Sequence, residues 1–133
     1  MKRLFQAAGL FAFVLCSLHA QTLTSQAEIP FDFRMGTTIF PAGKYVVHQS
    51  GYLLTIREEG GTKRSAMQLT LPASRKAASS QPKLEFHRYG STYFLTAIWN
   101  QNSREGQVLP QSKQEQELLS HAQSLQTASI SLR

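Results

Sequence analysis

The chain has 133 residues, 41% of them apolar and 17% charged, with a formal net charge of +6 and one cysteine. That length holds one ordinary domain and excludes a large multi-element enzyme fold. One cysteine excludes an intrachain disulfide and any cysteine-rich metal site.

The first twenty residues read as a secretory signal peptide. Met1, Lys2 and Arg3 form a basic start, residues 4–18 are an apolar run, and Ala20 offers a small residue at the cleavage point. The run has fifteen residues, short of the ~20 that span a bilayer. Cys16 lies inside it, behind Phe13, Val14 and Leu15, which are too bulky for a lipidation signal. Cleavage after Ala20 leaves 133 − 20 = 113 residues with no thiol. The charge then falls by Lys2 and Arg3, from +6 to +4. Its positive residues are scattered, and no basic stripe interleaves with aromatics, which argues against a nucleic-acid partner.

From residue 27 onward the apolar period is two. Ile29, Phe31, Phe33 and Met35 alternate with polar residues as a strand, and Pro30 places it at an edge or a strand start. Phe40, Pro41, Ala42 and Gly43 read as a tight turn. Three hairpins follow. A turn at Ser50-Gly51 sets Val47 against Leu54 and Tyr45 against Ile56, with Tyr52 also on the core face. A turn at Gly60-Gly61 sets Leu54 against Met67, at the cost of a like-charge Arg57/Arg64 pair. A turn at Gly90-Ser91 sets Phe86 against Leu95, Leu84 against Ala97 and His87 against Phe94. Residues 72–82 carry no large apolar residue and read as an exposed loop. Residues 100–106 read as a polar turn.

The capping box Ser112-Lys113-Gln114-Glu115 predicts a helix over 113–126, with Leu118, Leu119, Ala122 and Leu125 on one face. That stripe is expected to dock on Phe94 and Ile98, on the side of the sheet away from Phe86 and Leu95, with His87 or Tyr89 at its rim. Residues 127–133 read as a flexible tail. The expected fold is mainly β: an antiparallel meander of six or seven strands forming a small barrel or sandwich, with one C-terminal helix. Residues 21–126 make up the single domain.

Two stretches carry a resemblance: Ile29-Pro30-Phe31-Asp32-Phe33-Arg34-Met35-Gly36 with Phe40-Pro41-Ala42-Gly43-Lys44-Tyr45, and Phe86-His87-Arg88-Tyr89-Gly90 with the Ser112–Glu115 region. Together they resemble a group of small secreted bacterial β proteins of unknown function, whose opening is F-x-F-x-V/M-G…P-A-G-x-Y. The likeness spans most of the chain after the leader. Phe40 stands where that pattern has a leucine. These motifs are turns and strands, and the resemblance implies no activity.

Catalytic patterns find no anchor. The chain has no G-x-S-x-G elbow and no H-E-x-x-H. His48, His87 and His121 are far apart in sequence, so no metal is expected, and no glycine-rich loop precedes a helix to hold a phosphate-bearing cofactor. Aromatic residues in strands usually pack in the core. Glu85, His87 and Tyr89 share the non-core face of one strand and are the candidate ligand-binding residues. The expected function is an exported, non-enzymatic binding or envelope-associated module in the periplasm or outside the cell. Its partner is unknown, with an envelope protein or a polysaccharide the expected kinds. The alternative is a hydrolase of cell-wall or extracellular polymer, using Glu85 and His87 as acid and base.

Overall fold

A computed structural model describes residues 22–60, 64–121 and 124–133; residues 1–20, read above as a signal peptide, and Cys16 among them lie outside the described residues. Pro30 cannot donate to a strand ladder, and the alternating run breaks there. Strand β1 (Thr22–Ile29) therefore ends before it, and β2 (Phe33–Met35) begins in a different sheet. Between them Asp32 turns its carboxylate to accept the Ala42 amide at 2.9 Å, closing the Phe40–Gly43 turn. That turn joins β3 (Thr38–Phe40) to β4 (Gly43–Ser50). There follow β5 (Leu53–Glu58), β6 (Ser65–Leu69), β7 (Leu71–Ser79), β8 (Lys83–Tyr89), β9 (Thr92–Trp99), β10 (Ser103–Val108), helix α1 (Lys113–Ser120) and β11 (Leu125–Ser131).

Among the described residues the architecture is mainly β with one helix, as the sequence implies, and it is sandwich-like with no closed barrel. One sheet runs β1-β4-β5-β6 and the other β11-β8-β9-β10-β7. The β2–β3 hairpin joins the second sheet through a parallel pairing of β2 with β9. Consecutive antiparallel strands make up β4-β5-β6 and β8-β9-β10, and crossovers place the others, so the chain is more than a simple meander. The sheets meet at two corners. At one, the chain passes from β6 to β7 through buried Thr70, which donates from N and Oγ1 to the Tyr52 carbonyl. At the other, Gln26 of β1 and Arg133 exchange two backbone hydrogen bonds of 2.9 Å. The core between the sheets holds Ile29, Phe33, Phe40, Tyr45, Val47, Leu54, Ile56, Leu84 and Phe86. Phe33 stacks on Phe40 at 5.1 Å and meets Tyr45 and Phe86 edge-on.

Several registers differ from the sequence reading, each for a local reason. In the first hairpin Ser50 pairs Leu53, so Gly51, at φ +58°, opens the loop. The pairing moves by two residues, Val47 faces Ile56, and the same faces stay inward. Tyr52 becomes a loop residue and is exposed, not core. The second hairpin moves by one residue, which swaps faces. Thr55 faces Met67 and Leu53 faces Leu69, so Met67 and Leu69 point out and each is 67% exposed. Arg57 pairs with Ser65, which relieves the like-charge contact with Arg64.

Residues 72–82 are no loop over most of their length, because β7 runs through them as an edge strand on β10. A strand held by its backbone at a sheet edge needs no large apolar side chain, which is why the segment lacked a strand signature. Likewise the polar turn at 100–106 tightens to residues 100–102, with Asn102 at φ +51°, before β10 begins. The helix stops at Ser120 instead of reaching residue 126, and the tail expected at 127–133 is β11, which fills the free edge of β8. Ala128, Ile130 and Leu132 alternate inward there, a period of two that outweighs the helical spacing of Leu118 and Leu125.

Candidate functional site

The third hairpin turns at Gly90, φ +61°, and pairs Phe86 with Leu95 and His87 with Phe94 as its sequence implies. A bulge then adds Thr96 to β9, so Leu84 faces Ile98 and Glu85 faces Ala97. The extra residue is held at both backbone and side chain. Thr96 Oγ1 donates to the Glu85 carbonyl at 3.1 Å, and the Thr96 carbonyl accepts from Leu109 N at 2.8 Å. The bulge sends Ile98 into the core and separates it from Phe94, so the two do not form one docking face. Trp99 is left on the outer side with Glu85, His87 and Tyr89. The far side of the second sheet therefore carries every candidate residue.

Helix α1 covers that side, though not through its leucines. Leu118 is half-buried and Leu119 exposed, as is Leu125 on β11, whereas Glu115 is 3% exposed. The Ser112 side chain caps the helix by accepting the Glu115 amide at 3.2 Å. The Glu115 carboxylate is directed into the sheet. Tyr89 Oη donates to its Oε1 at 3.0 Å, and His87 Nδ1 lies 3.4 Å from the same oxygen. That second contact is an ion-pair distance without hydrogen-bond alignment, which leaves Nδ1 buried and unpartnered. On the other side of the ring, His87 Nε2 is 3.9 Å from Glu85 Oε1, and Glu85 Oε2 accepts the Trp99 indole N–H at 2.8 Å. A chain of polar contacts thus runs from Trp99 through Glu85 and His87 to Glu115 and Tyr89. The Arg75 guanidinium stacks on the Trp99 ring at 4.8 Å.

Glu85, His87, Thr96, Trp99, Leu109 and Glu115 line a cavity of about 160 Å³ beside the helix. Of the three candidates, Glu85 and His87 reach this space. Tyr89 is 1% exposed and holds Glu115 from behind, so its part is positioning. Glu115 was missed as a site residue because the capping box explained it fully; its place opposite a strand histidine is a tertiary fact. His48 lies on the outer side of the other sheet, bonded to Thr24 Oγ1 at 2.9 Å, so it does not approach His87. Among the described residues no three histidine, cysteine or carboxylate side chains converge as a metal site.

Burial lifts Tyr89 from its ordinary 10.0 to about 12, aided by its hydrogen bond to Glu115 and by the charge of that carboxylate. Tyr45 also rises to about 12, through burial first and then the charges of Glu58 and Asp32, against an opposing effect of Arg64. A tyrosine is neutral while protonated, so the folded state keeps these protons when the unfolded chain begins to lose them. Stability from both groups is complete below about pH 10 and falls as pH rises toward 12. Ultraviolet difference titration is expected to show late-ionising tyrosine that Tyr89→Phe and Tyr45→Phe each reduce. Ionisation of these two near pH 10 in the intact fold would contradict the burial argument.

The structure thus defines a β-sandwich with a small, mostly apolar cavity beside helix α1, edged by Glu85, His87 and Glu115. The chain matches no known family, no curated protein and no solved structure.

Proposed function

We propose that the chain is an exported, non-enzymatic binding or envelope-associated module that acts in the periplasm or outside the cell. The observation that carries this is the cavity itself: Glu85, His87, Trp99 and Glu115 around about 160 Å³, without a nucleophile paired to a base. Such a space is below the ~300–1,000 Å³ typical of pockets that enclose a whole small ligand, and it suits the tip of a larger partner. A second feature suits association with a surface. Tyr52, Met67, Leu69 and Leu71 flank the Thr70 corner and are each more than half exposed. Exposed apolar side chains gathered near one corner are a common feature of interaction surfaces. Export rests on the basic–apolar–small layout of residues 1–20. No helix among the described residues is long and apolar enough to cross a membrane.

A hydrolase of envelope polymer is the second reading, favoured by the approach of Glu85 to His87 at 3.9 Å. The other carboxylate, Glu115, lies under the helix with its side chain 4% exposed, out of reach of an extended polymer. Binding therefore fits the arrangement better. Intact mass of the protein from the exported fraction is expected to match residues 21–133. The protein of that length, immobilised, is expected to retain an envelope protein or polysaccharide from its own envelope fraction, and to retain less as Glu85→Gln. An empty pull-down, or turnover of the polymer by the wild type, would overturn the reading.

A further inference from the structure

Strand β6 closes one side of the first sheet, and among the described residues its ladder partner is β5 alone. Glu58 N donates to the Arg64 carbonyl at 3.1 Å and Thr70 N to the Tyr52 carbonyl at 2.8 Å. Hydrogen-bonded pairs alternate along an antiparallel ladder, so Ala66 and Gln68 also bond β5. The N–H and C=O groups of Ser65, Met67 and Leu69 therefore point away from the sheet. Among the described residues they have no backbone partner. The Leu69 carbonyl takes a long 3.3 Å bond from the Gln68 side-chain amide and keeps a second lone pair. Ser65 is exposed, and Met67 and Leu69 are each 67% exposed, so this edge is open. The other edges carry the features that natural sheets use against stray pairing. Strand β7 has Pro72, Arg75 and Lys76 and shifts register against β10. Strand β1 gives both Gln26 backbone groups to Arg133. Strand β3 is three residues long, with its Ile39 carbonyl taken by Arg64, and β11 sets Thr127, Ser129 and Ser131 on its outer face. Strand β6 has neither charge nor proline, and its outer face carries Met67 and Leu69.

We propose that two copies of this chain pair through β6, edge to edge and antiparallel, about a two-fold axis at Met67. This goes beyond the binding-module reading and does not rest on it. A row of open N–H and C=O groups selects another strand, because a purely apolar partner returns none of their hydrogen bonds. The strand is complementary to itself. With Met67 on the axis, Met67 faces Met67, and Ser65 of each copy faces Leu69 of the other. Outward-pointing residues thus meet outward-pointing residues, and each such pair exchanges two N–H···O bonds. The side-chain faces match as well. Leu53 lies opposite Leu69 in the β5–β6 register, so Leu53 and Leu69 of each copy lie diagonally beside the Met67 pair on one surface. A slip of one residue would turn the apolar set of one copy to the inner face of the other. Arg57, next to Ser65 in that register, looks across to Leu69 of the second copy. Despite the net charge of +6, no like charges therefore come opposite each other. The product is one continuous sheet in which β1-β4-β5-β6 occurs twice. Five residues on each side make a small interface, at the weak end of specific association.

Residues 21–133 hold every described element and no cysteine, so a single introduced thiol reports its own contact. Sedimentation equilibrium of this protein is expected to show the mass rising from one copy toward two between about 1 μM and about 1 mM. Met67→Lys sets like charges opposite each other on the axis and is expected to weaken the dimer roughly tenfold or more. Its thermal melting as a monomer is expected to match wild type, because the Met67 side chain is exposed. Met67→Cys is expected to give a covalent dimer on mild oxidation. Hydrogen-bonded cross-strand residues sit about 5.5 Å apart at Cα, inside the ~4.4–6.8 Å range of disulfides. Ser65→Cys is expected to stay uncrosslinked, because its copy lies four residues along the pair, at least about 13 Å away. A single-copy mass up to about 1 mM, or equal crosslinking of Ser65→Cys and Met67→Cys, overturns the inference. So does a monomer whose hold on an envelope protein is lost in Met67→Lys, which would give the edge to a foreign strand. An empty envelope pull-down beside a dimer of the stated register keeps the inference and removes the envelope reading.

Discussion

Cutting the chain after Pro110 is expected to abolish cooperative unfolding of the domain. The cut removes α1 and β11 together, and these stabilise the second sheet in different ways. Strand β11 covers the whole edge of β8 with seven backbone pairs, from Leu125↔Tyr89 to Ser131↔Lys83. It also brings Leu132 into the core, where that side chain is 6% exposed, and packs Ile130 and Ala128 against it. Burial of each large apolar side chain contributes roughly 1.5–3 kcal/mol. The two backbone bonds between Gln26 and Arg133, which tie the sheets together at one corner, disappear as well. Helix α1 takes Glu115 with it and opens Tyr89 to water. Against a total stability of about 5–15 kcal/mol for a small domain, these losses are large enough to unfold it. Thermal melting of residues 21–110 beside 21–133, with an apolar-surface dye, checks this. A truncated protein that melts at the parent temperature would make the C-terminal segment an independent arm. A cut after Ser120 separates the contributions, because it keeps Glu115 on the sheet and removes only the strand and the segment before it.

How far the sequence disclosed this arrangement depends on how local each determinant is. The mainly β class was legible because alternation in residues 29–35, 45–56 and 84–95 is written in the chain itself. The third hairpin was legible down to its pairs, since Gly90 fixes the turn and Phe86 and Leu95 share the core. It failed from Glu85 onward, where the sequence paired Glu85 with Thr96 and the structure pairs it with Ala97, because the Thr96 bulge is set by contacts to Glu85 and Leu109. The second hairpin slipped because a one-residue shift costs little when Ala66 and Gln68 can replace Met67 and Leu69 on the inner face. Strand β7 was illegible for a plainer reason: Ala, Ser, Arg and Lys carry no side-chain signal, and its partner β10 is polar too. In residues 125–132 two periodicities overlap, and the free edge of β8 decides between them. Of the site, Glu85 and His87 could be read from strand alternation. Glu115 could not, because its role depends on the helix landing across β8.

Gly106→Ala is expected to be among the most damaging single substitutions in the chain. Gly106 sits in β10 directly opposite Trp99. A methyl group there would lie 2.4 Å from the Ile98 carbonyl oxygen and 2.4 Å from Trp99 Cε3, with Trp99 Cα at 3.1 Å. Two of those atoms are backbone in the central strand of the sheet, so they cannot rotate away as a side-chain end could. A glycine within a strand commonly marks such a close approach. The structure must then part β10 from β9 or displace the indole. Overpacking of this sort costs roughly 1–3 kcal/mol and sometimes more, with valine worse than alanine. Gly43→Ala is the matched control, because a methyl at Gly43 meets nothing within 4 Å and its backbone lies outside the left-handed region. That change is expected to stay within about 0.5 kcal/mol, as surface substitutions usually do. Urea midpoints of the two variants against wild type give the comparison. Equal midpoints for Gly106→Ala and Gly43→Ala would mean that the β9–β10 contact can relax freely. The damage is also expected to reach the cavity: moving the Trp99 ring breaks its 2.8 Å bond to Glu85 and lifts the surface on which Arg75 stacks. Trp99 emission in the folded Gly106→Ala protein should therefore shift toward that of a more exposed indole.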